Sequence, residues 1–117
     1  MTTNTTTTTT GNGVAFGNQP ANDGVEIGSD SAADTTQTAT VIGTTNGTDT
    51  VVVESIALTG TTFVSTVKTD WGVILAVKLS ASCAGTVTFR EASGNAAITT
   101  ITTGNTAKGV ETVPGMP

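Results

Sequence analysis

Between residues 36 and 113 the chain alternates apolar and polar positions with a period of two, the pattern of half-buried β-strands. Thr36 to Ile42 reads as one strand, ended by Gly43 and an Asn46-Gly47 turn. Asp49 to Leu58 reads as the next, with Val52, Ile56 and Leu58 on one face and Val51, Val53 and Ala57 on the other. Thr59-Gly60 turns the chain into Thr62 to Lys68, where Phe63 and Val67 share a face. Trp71 to Leu79 is the clearest strand: Trp71, Val73, Leu75, Val77 and Leu79 alternate with Gly72, Ile74, Ala76 and Lys78. A loop at Ser80 to Gly85 leads to Thr86 to Arg90, with Val87 and Phe89 inward. After a Ser93-Gly94-Asn95 turn come Ala97 to Thr103 and a last strand near Lys108 to Val113.

Seven short strands punctuated by Gly and Asn predict an all-β fold, a β-sandwich or jelly-roll-like domain. The expected core is Phe63, Trp71, Val73, Leu75, Val77, Leu79, Val87 and Phe89. Each such side chain stabilises the fold by about 1.5–3 kcal/mol when buried.

Residues 1–34 break the pattern. Thr5, Thr6, Thr7, Thr8, Thr9 and Thr10 form a homopolymeric run, and the glycine- and asparagine-rich residues 11–13 and 17–20 follow. Val14, Phe16, Val25 and Ile27 are the large apolar residues here, too few for a core of their own. The expected division is therefore an extended N-terminal arm at 1–34, a sandwich domain at 35–113 and a tail at 114–117. The threonine run with Val14, Phe16, Val25 and Ile27 forms the candidate assembly segment, ordered by a neighbouring subunit; a loose tail is the competing reading.

Composition narrows the function classes. Threonine fills about a quarter of the chain, which favours strands. Charged residues make up 11%, below the roughly 25–35% of a typical small-domain surface. Such a surface is readily covered by other subunits, because little charge has to be desolvated. The net charge of −5, with Lys+Arg 4, argues against nucleic-acid binding. With His 0, serine- and cysteine-protease triads and most zinc sites are excluded. The acids cluster before Lys68 and the bases after it, so the two halves can attract between copies; chance placement explains this equally well. No basic n-region or apolar h-region opens the chain, and Val73 to Val77 is too short to cross a bilayer. Synthesis in a cytoplasm is expected, which suits the single Cys83, itself expected to be inert without a base beside it.

Few constellations carry chemistry. Asp23, Glu26, Asp30 and Asp34 form an acidic stretch that fits either a solvated turn or a calcium loop, without EF-hand spacing. Glu54, Glu91 and Glu111 are the carboxylates available for glycoside hydrolysis, yet Trp71 is the one tryptophan to stack a sugar and lies on an apolar strand face. Lys78 has no evident asparagine opposite it for an isopeptide crosslink and reads as an edge-guarding lysine. No enzymatic activity, catalytic residue, metal or cofactor is expected.

The stretch from Lys78 to Gly94, KLSASCAGTVTFREASG, continuing through Ile98-Thr99-Thr100-Ile101-Thr102, resembles segments of small β-rich virion proteins of tailed bacteriophages. An irregular N-terminal arm before a β-sandwich likewise resembles phage capsid decoration, or cement, proteins. The resemblance implies a homotrimer seated on the major capsid protein, with arms crossing neighbouring subunits and no catalytic or cofactor residues. The poly-threonine start departs from that pattern. Two other readings stand beside it: a receptor- or carbohydrate-binding module of a fibre or cell surface, and a self-polymerising filament or tail-tube subunit.

Overall fold

The computed structural model describes residue 16 and residues 18–109. Eight strands follow in order: β1 (Val25–Ser29), β2 (Thr38–Thr45), β3 (Val51–Ala57), β4 (Val64–Ser65), β5 (Trp71–Leu79), β6 (Val87–Glu91), β7 (Ala97–Ile101) and β8 (Ala107–Gly109). They form two four-stranded antiparallel sheets. Sheet A runs β3-β2-β5-β8 and sheet B runs β4-β1-β6-β7. Only β2–β3 and β6–β7 are hairpins; every other connection passes from one sheet to the other.

One core lies between the sheets, which makes the fold a β-sandwich. Sheet B contributes Val25, Ile27, Val87, Phe89, Ile98 and Ile101; sheet A contributes Ala39, Val41, Trp71, Ile74, Val77 and Leu79. Trp71 is fully buried, and its indole N–H donates to Thr66 Oγ1 at 3.1 Å, which satisfies its one polar atom.

Three expectations about the core are corrected. First, the alternation along β5 is interrupted. Against β2, Ile42 pairs with Ala76 but Gly43 with Ile74, and Thr45 with Trp71, so β5 carries two extra residues. Each bulge flips the strand's phase. The inward set becomes Trp71, Ile74, Val77 and Leu79, while Val73 is 43% exposed and Leu75 half-buried. Gly43 permits this, since a Cβ there would collide with the Val73 carbonyl oxygen. Secondly, Phe63 is not between the sheets. It lies over Gly28, where a Cβ would sit 2.8 Å from the ring, and so covers the outside of sheet B. Val67 does not share its face; it is 90% exposed.

Thirdly, the folded body begins well before residue 35. β1 is an inner strand of sheet B, paired with both β4 and β6. Val25 and Ile27 are wholly buried, and Phe16 joins the same core, so these three are packed inside and are not free to bind a neighbour. Residues 19–23 also complete sheet A beside β5. Gln19 bonds both the N–H and the carbonyl of Ile74, Ala21 N–H donates to Gly72 O, and Trp71 N–H to Asp23 O. The remaining assembly candidates, Thr5 to Thr10 and Val14, lie outside the described residues, as does the tail.

Candidate functional site

The acidic stretch does not converge. Asp23 accepts from the Ser93 hydroxyl and the Ser93 and Gly24 N–H groups, and the Ser93 hydroxyl chiefly holds its carboxyl below the usual range. Glu26 pairs with Arg90 at 2.9 Å, and Asp30 accepts from Thr86 N–H. Asp34, 1% exposed, accepts from Ser29 Oγ at 2.6 Å and from the N–H groups of Ala84 and Gly85 at 2.7 and 3.0 Å. Those bonds, led by the Ser29 hydroxyl, outweigh its burial and lower its pKa. The carboxylates thus make separate structural contacts: Asp23 holds the β6–β7 turn, Glu26 a neighbouring strand, and Asp30 and Asp34 both hold the β5–β6 connection. Among the described residues no group of three or more Asp, Glu, Cys or His is placed to hold a metal ion.

Asp34 is a structural latch. It joins the β1–β2 connection to the β5–β6 connection, two of the four segments that pass between the sheets at this end. Cys83 lies beside it, buried; burial first, and then the charge of Asp34, push the thiol pKa up and keep it protonated.

The hydrolase candidates are separated. Glu54 on β3 accepts from the N–H groups of Val67 and Lys68, which pins the β4–β5 loop against the sheet edge. Glu91 ends β6 in the other sheet and accepts from the Asn18 amide. Glu111 lies outside the described residues. Trp71 offers no face to a sugar. Lys78 is exposed, and its cross-strand neighbours are Thr40 and Ala107, with no asparagine opposite.

What remains is surface. On sheet B, Phe63 covers Gly28, the Arg90 guanidinium stacks 3.6 Å from the Phe63 ring centroid, and Glu26 holds Arg90 from the side. That face is closed by its own side chains. Sheet A differs. The register places Val53, Ile42 and Ala76 in one outward row, Ser55, Thr40 and Lys78 in the next, and Val51 opposite Thr44. Val51 and Val53 are 57% and 59% exposed, and Lys78 is the only charge at these positions. At the hairpin end a shallow groove of about 450 Å³ is lined by Thr44, Asn46, Asp49, Val73 and Gln19 among others. Sequence reasoning missed this surface because it depends on register. The signals that could have found it were the glycines at 43 and 72 inside strand patterns.

No family model, curated protein or solved structure matches the chain.

Proposed function

We propose that the protein is a non-enzymatic structural subunit of a virion, a capsid decoration protein that strengthens the shell by associating with its own copies and with the major capsid protein. The observation that carries this reading is the outer face of sheet A: valines left exposed in a domain whose other face is closed by its own residues. Exposed apolar surface of this kind marks contact surfaces, and a lattice that repeats a weak contact many times gains strength through avidity. In this reading the sandwich is jelly-roll-like, as in many capsid domains, and residues 1–15 are the arm that crosses to neighbouring subunits. The trimer implied by the resemblance belongs to the same proposal, as does a place on the capsid surface.

Cross-linking mass spectrometry on virions that carry the chain tests the proposal. Links from residues 1–15 to the major capsid protein, and from sheet A to that protein or to another copy of the chain, are expected; links confined to fibre proteins, or to host components, would overturn it. Deletion of residues 1–15 leaves Phe16 and β1 in place. That variant should stay folded and lose most of its capacity to raise the shell's thermal stability.

A further inference from the structure

We infer that the outer face of sheet A is a two-fold docking surface whose occupant is the same face of a second copy of this chain. The centre of the face is aliphatic: Val51, Val53, Ile42, Ala76 and, beside Thr44, Val73. Its charges sit at opposite ends. Lys78 lies in the row of Thr40 and Ser55, whereas Asp49 borders the groove at the β2–β3 hairpin. A two-fold axis that makes the facing sheets antiparallel brings Lys78 of each copy towards the Asp49 end of the other. Two ion pairs then flank a valine centre, while a parallel arrangement would oppose like charges.

The rest of the molecule favours this occupant. The face has no aromatic platform for a sugar and no basic cluster for phosphate or an anionic membrane. Although the chain carries net charge −5, the described acids away from this face are engaged elsewhere. Glu26 is held by Arg90, Asp70 by Lys68, Asp34 by Ser29 and the 84–85 backbone, and Glu54 by the 67–68 backbone. On the β3 edge the Glu54 carboxylate holds the 67–68 backbone, which places a loop beside the middle of that strand. Four strands about 4.8 Å apart and seven residues at about 3.4 Å give a face about 19 by 24 Å. At about 900 Å² for the two partners together, that lies below the size of a standard stable interface and implies a weak, reversible contact. A two-fold contact yields even-numbered assemblies and so departs from the trimer of the capsid resemblance; it stands whether or not the chain coats a shell.

Sedimentation velocity of the full purified chain, from about 1 to 500 µM, is the test. The wild type should pass from monomer to dimer in that range. Val53→Lys should weaken the dimer by at least about tenfold, because two lysines would be forced into the apolar centre. Val67→Lys, placed on the exposed loop, should leave it unchanged. Asp49→Lys and Lys78→Asp should each weaken the dimer several-fold, and the double swap should restore it. Circular dichroism and Trp71 emission of every variant separate loss of contact from loss of fold, and Val51→Thr/Val53→Thr, which keeps β-branching, provides a second variant. A wild type that stays monomeric, a trimer, or a dimer that survives Val53→Lys would overturn the inference. A dimer that never binds capsids would sustain it and defeat the capsid reading, and a monomer that coats capsids would do the reverse.

Discussion

The two outer faces are built from the same kind of strand yet end differently. Sheet B leaves a hole at Gly28 and fills it with Phe63, over which Arg90 lies, steadied by Glu26. Sheet A has mostly β-branched residues at its outward positions and, among the described residues, leaves Val51 and Val53 more than half exposed. The lesson concerns where a small sandwich places its few large side chains. Of the described aromatics, Trp71, Phe89 and Phe16 fill the core and Phe63 closes sheet B. No aromatic side chain is left for the outer face of sheet A, so Val51 and Val53 stay exposed there.

The largest effect is expected where both faces depend on one group. Asp34→Ala removes the acceptor shared by Ser29, Ala84 and Gly85 and leaves these donors without it in a buried site. Thermal melts should give this variant the lowest midpoint of the set, with both faces lost together. The same latch sets a pH dependence. Hydrogen bonds from Ser29 and the 84–85 backbone lower the folded-state pKa of Asp34 below its unfolded value. Its contribution is therefore complete above the ordinary carboxylate range and is lost as pH falls through that range to the lowered folded value. Asp23 and Asp70 shift in the same direction, under the Ser93 hydroxyl and the Lys68 ammonium respectively. The wild-type midpoint should drop on acidification from about pH 5 to pH 3, and Asp34→Asn should flatten the curve. An equal slope in the two proteins would exclude the latch as its source.

Next in size is the plug on sheet B. Gly28→Val would drive a side chain into the Phe63 ring, 2.8 Å from where its Cβ must lie. Overpacking of this kind costs about 1–3 kcal/mol. Urea denaturation should show it as a lowered midpoint with an unchanged slope. Displaced Phe63 would also expose an apolar patch, so this variant should gain on sheet B an exposed apolar surface like the one on sheet A. A smaller loss is expected from Arg90→Lys. Lysine keeps the charge beside Glu26 but not the planar stack on Phe63, and with the two side chains 26% and 22% exposed the cost is about 0.5–1 kcal/mol. Because both proteins keep a charge beside Glu26, added salt should leave the difference between them nearly unchanged; a difference that shrinks markedly would assign it to the ion pair instead of the stack.

How much of this was legible depended on how local each cause is. The β5 limits, Trp71 and Leu79, and the inward Val87 and Phe89 follow from period-two alternation alone. The bulges in β5 do not. Within residues 71–79 the run Val73 to Val77 is apolar throughout and so marks no phase, and the phase slips because the backbones of β2 and β5 approach closely at Gly43 and Gly72. β1 was hidden by its setting: Val25 and Ile27 alternate correctly, but a strand of five residues after a glycine-asparagine stretch is easily taken for part of an arm. Phe63 misled because aromatic side chains usually enter a core; the hole that receives it is 35 residues away at Gly28 and becomes a neighbour only through the β1–β4 register. The exposed face of sheet A was the least legible feature. Val51 and Val53 were placed on one strand face in the sequence, yet nothing local says whether that face meets the core or water.

The smallest effect is the sharpest test of the contrast. Val53 is 59% exposed on an edge strand, its cross-strand neighbour is Ile42, and Ala76 lies beyond Ile42 in the same row. Val53→Thr keeps the β-branched shape and exchanges a methyl for a hydroxyl that water can solvate, so the isolated subunit should lose no more than about 0.5 kcal/mol. Chemical denaturation in dilute solution, where each chain is alone, should hardly distinguish it from the wild type. Raising the protein concentration should separate the two, because association stabilises the native state by mass action and the variant forfeits part of that gain. If the two midpoints diverge by more than that in dilute solution, the valine serves the subunit's own fold, and the division between a face that closes itself and a face that waits for a partner fails.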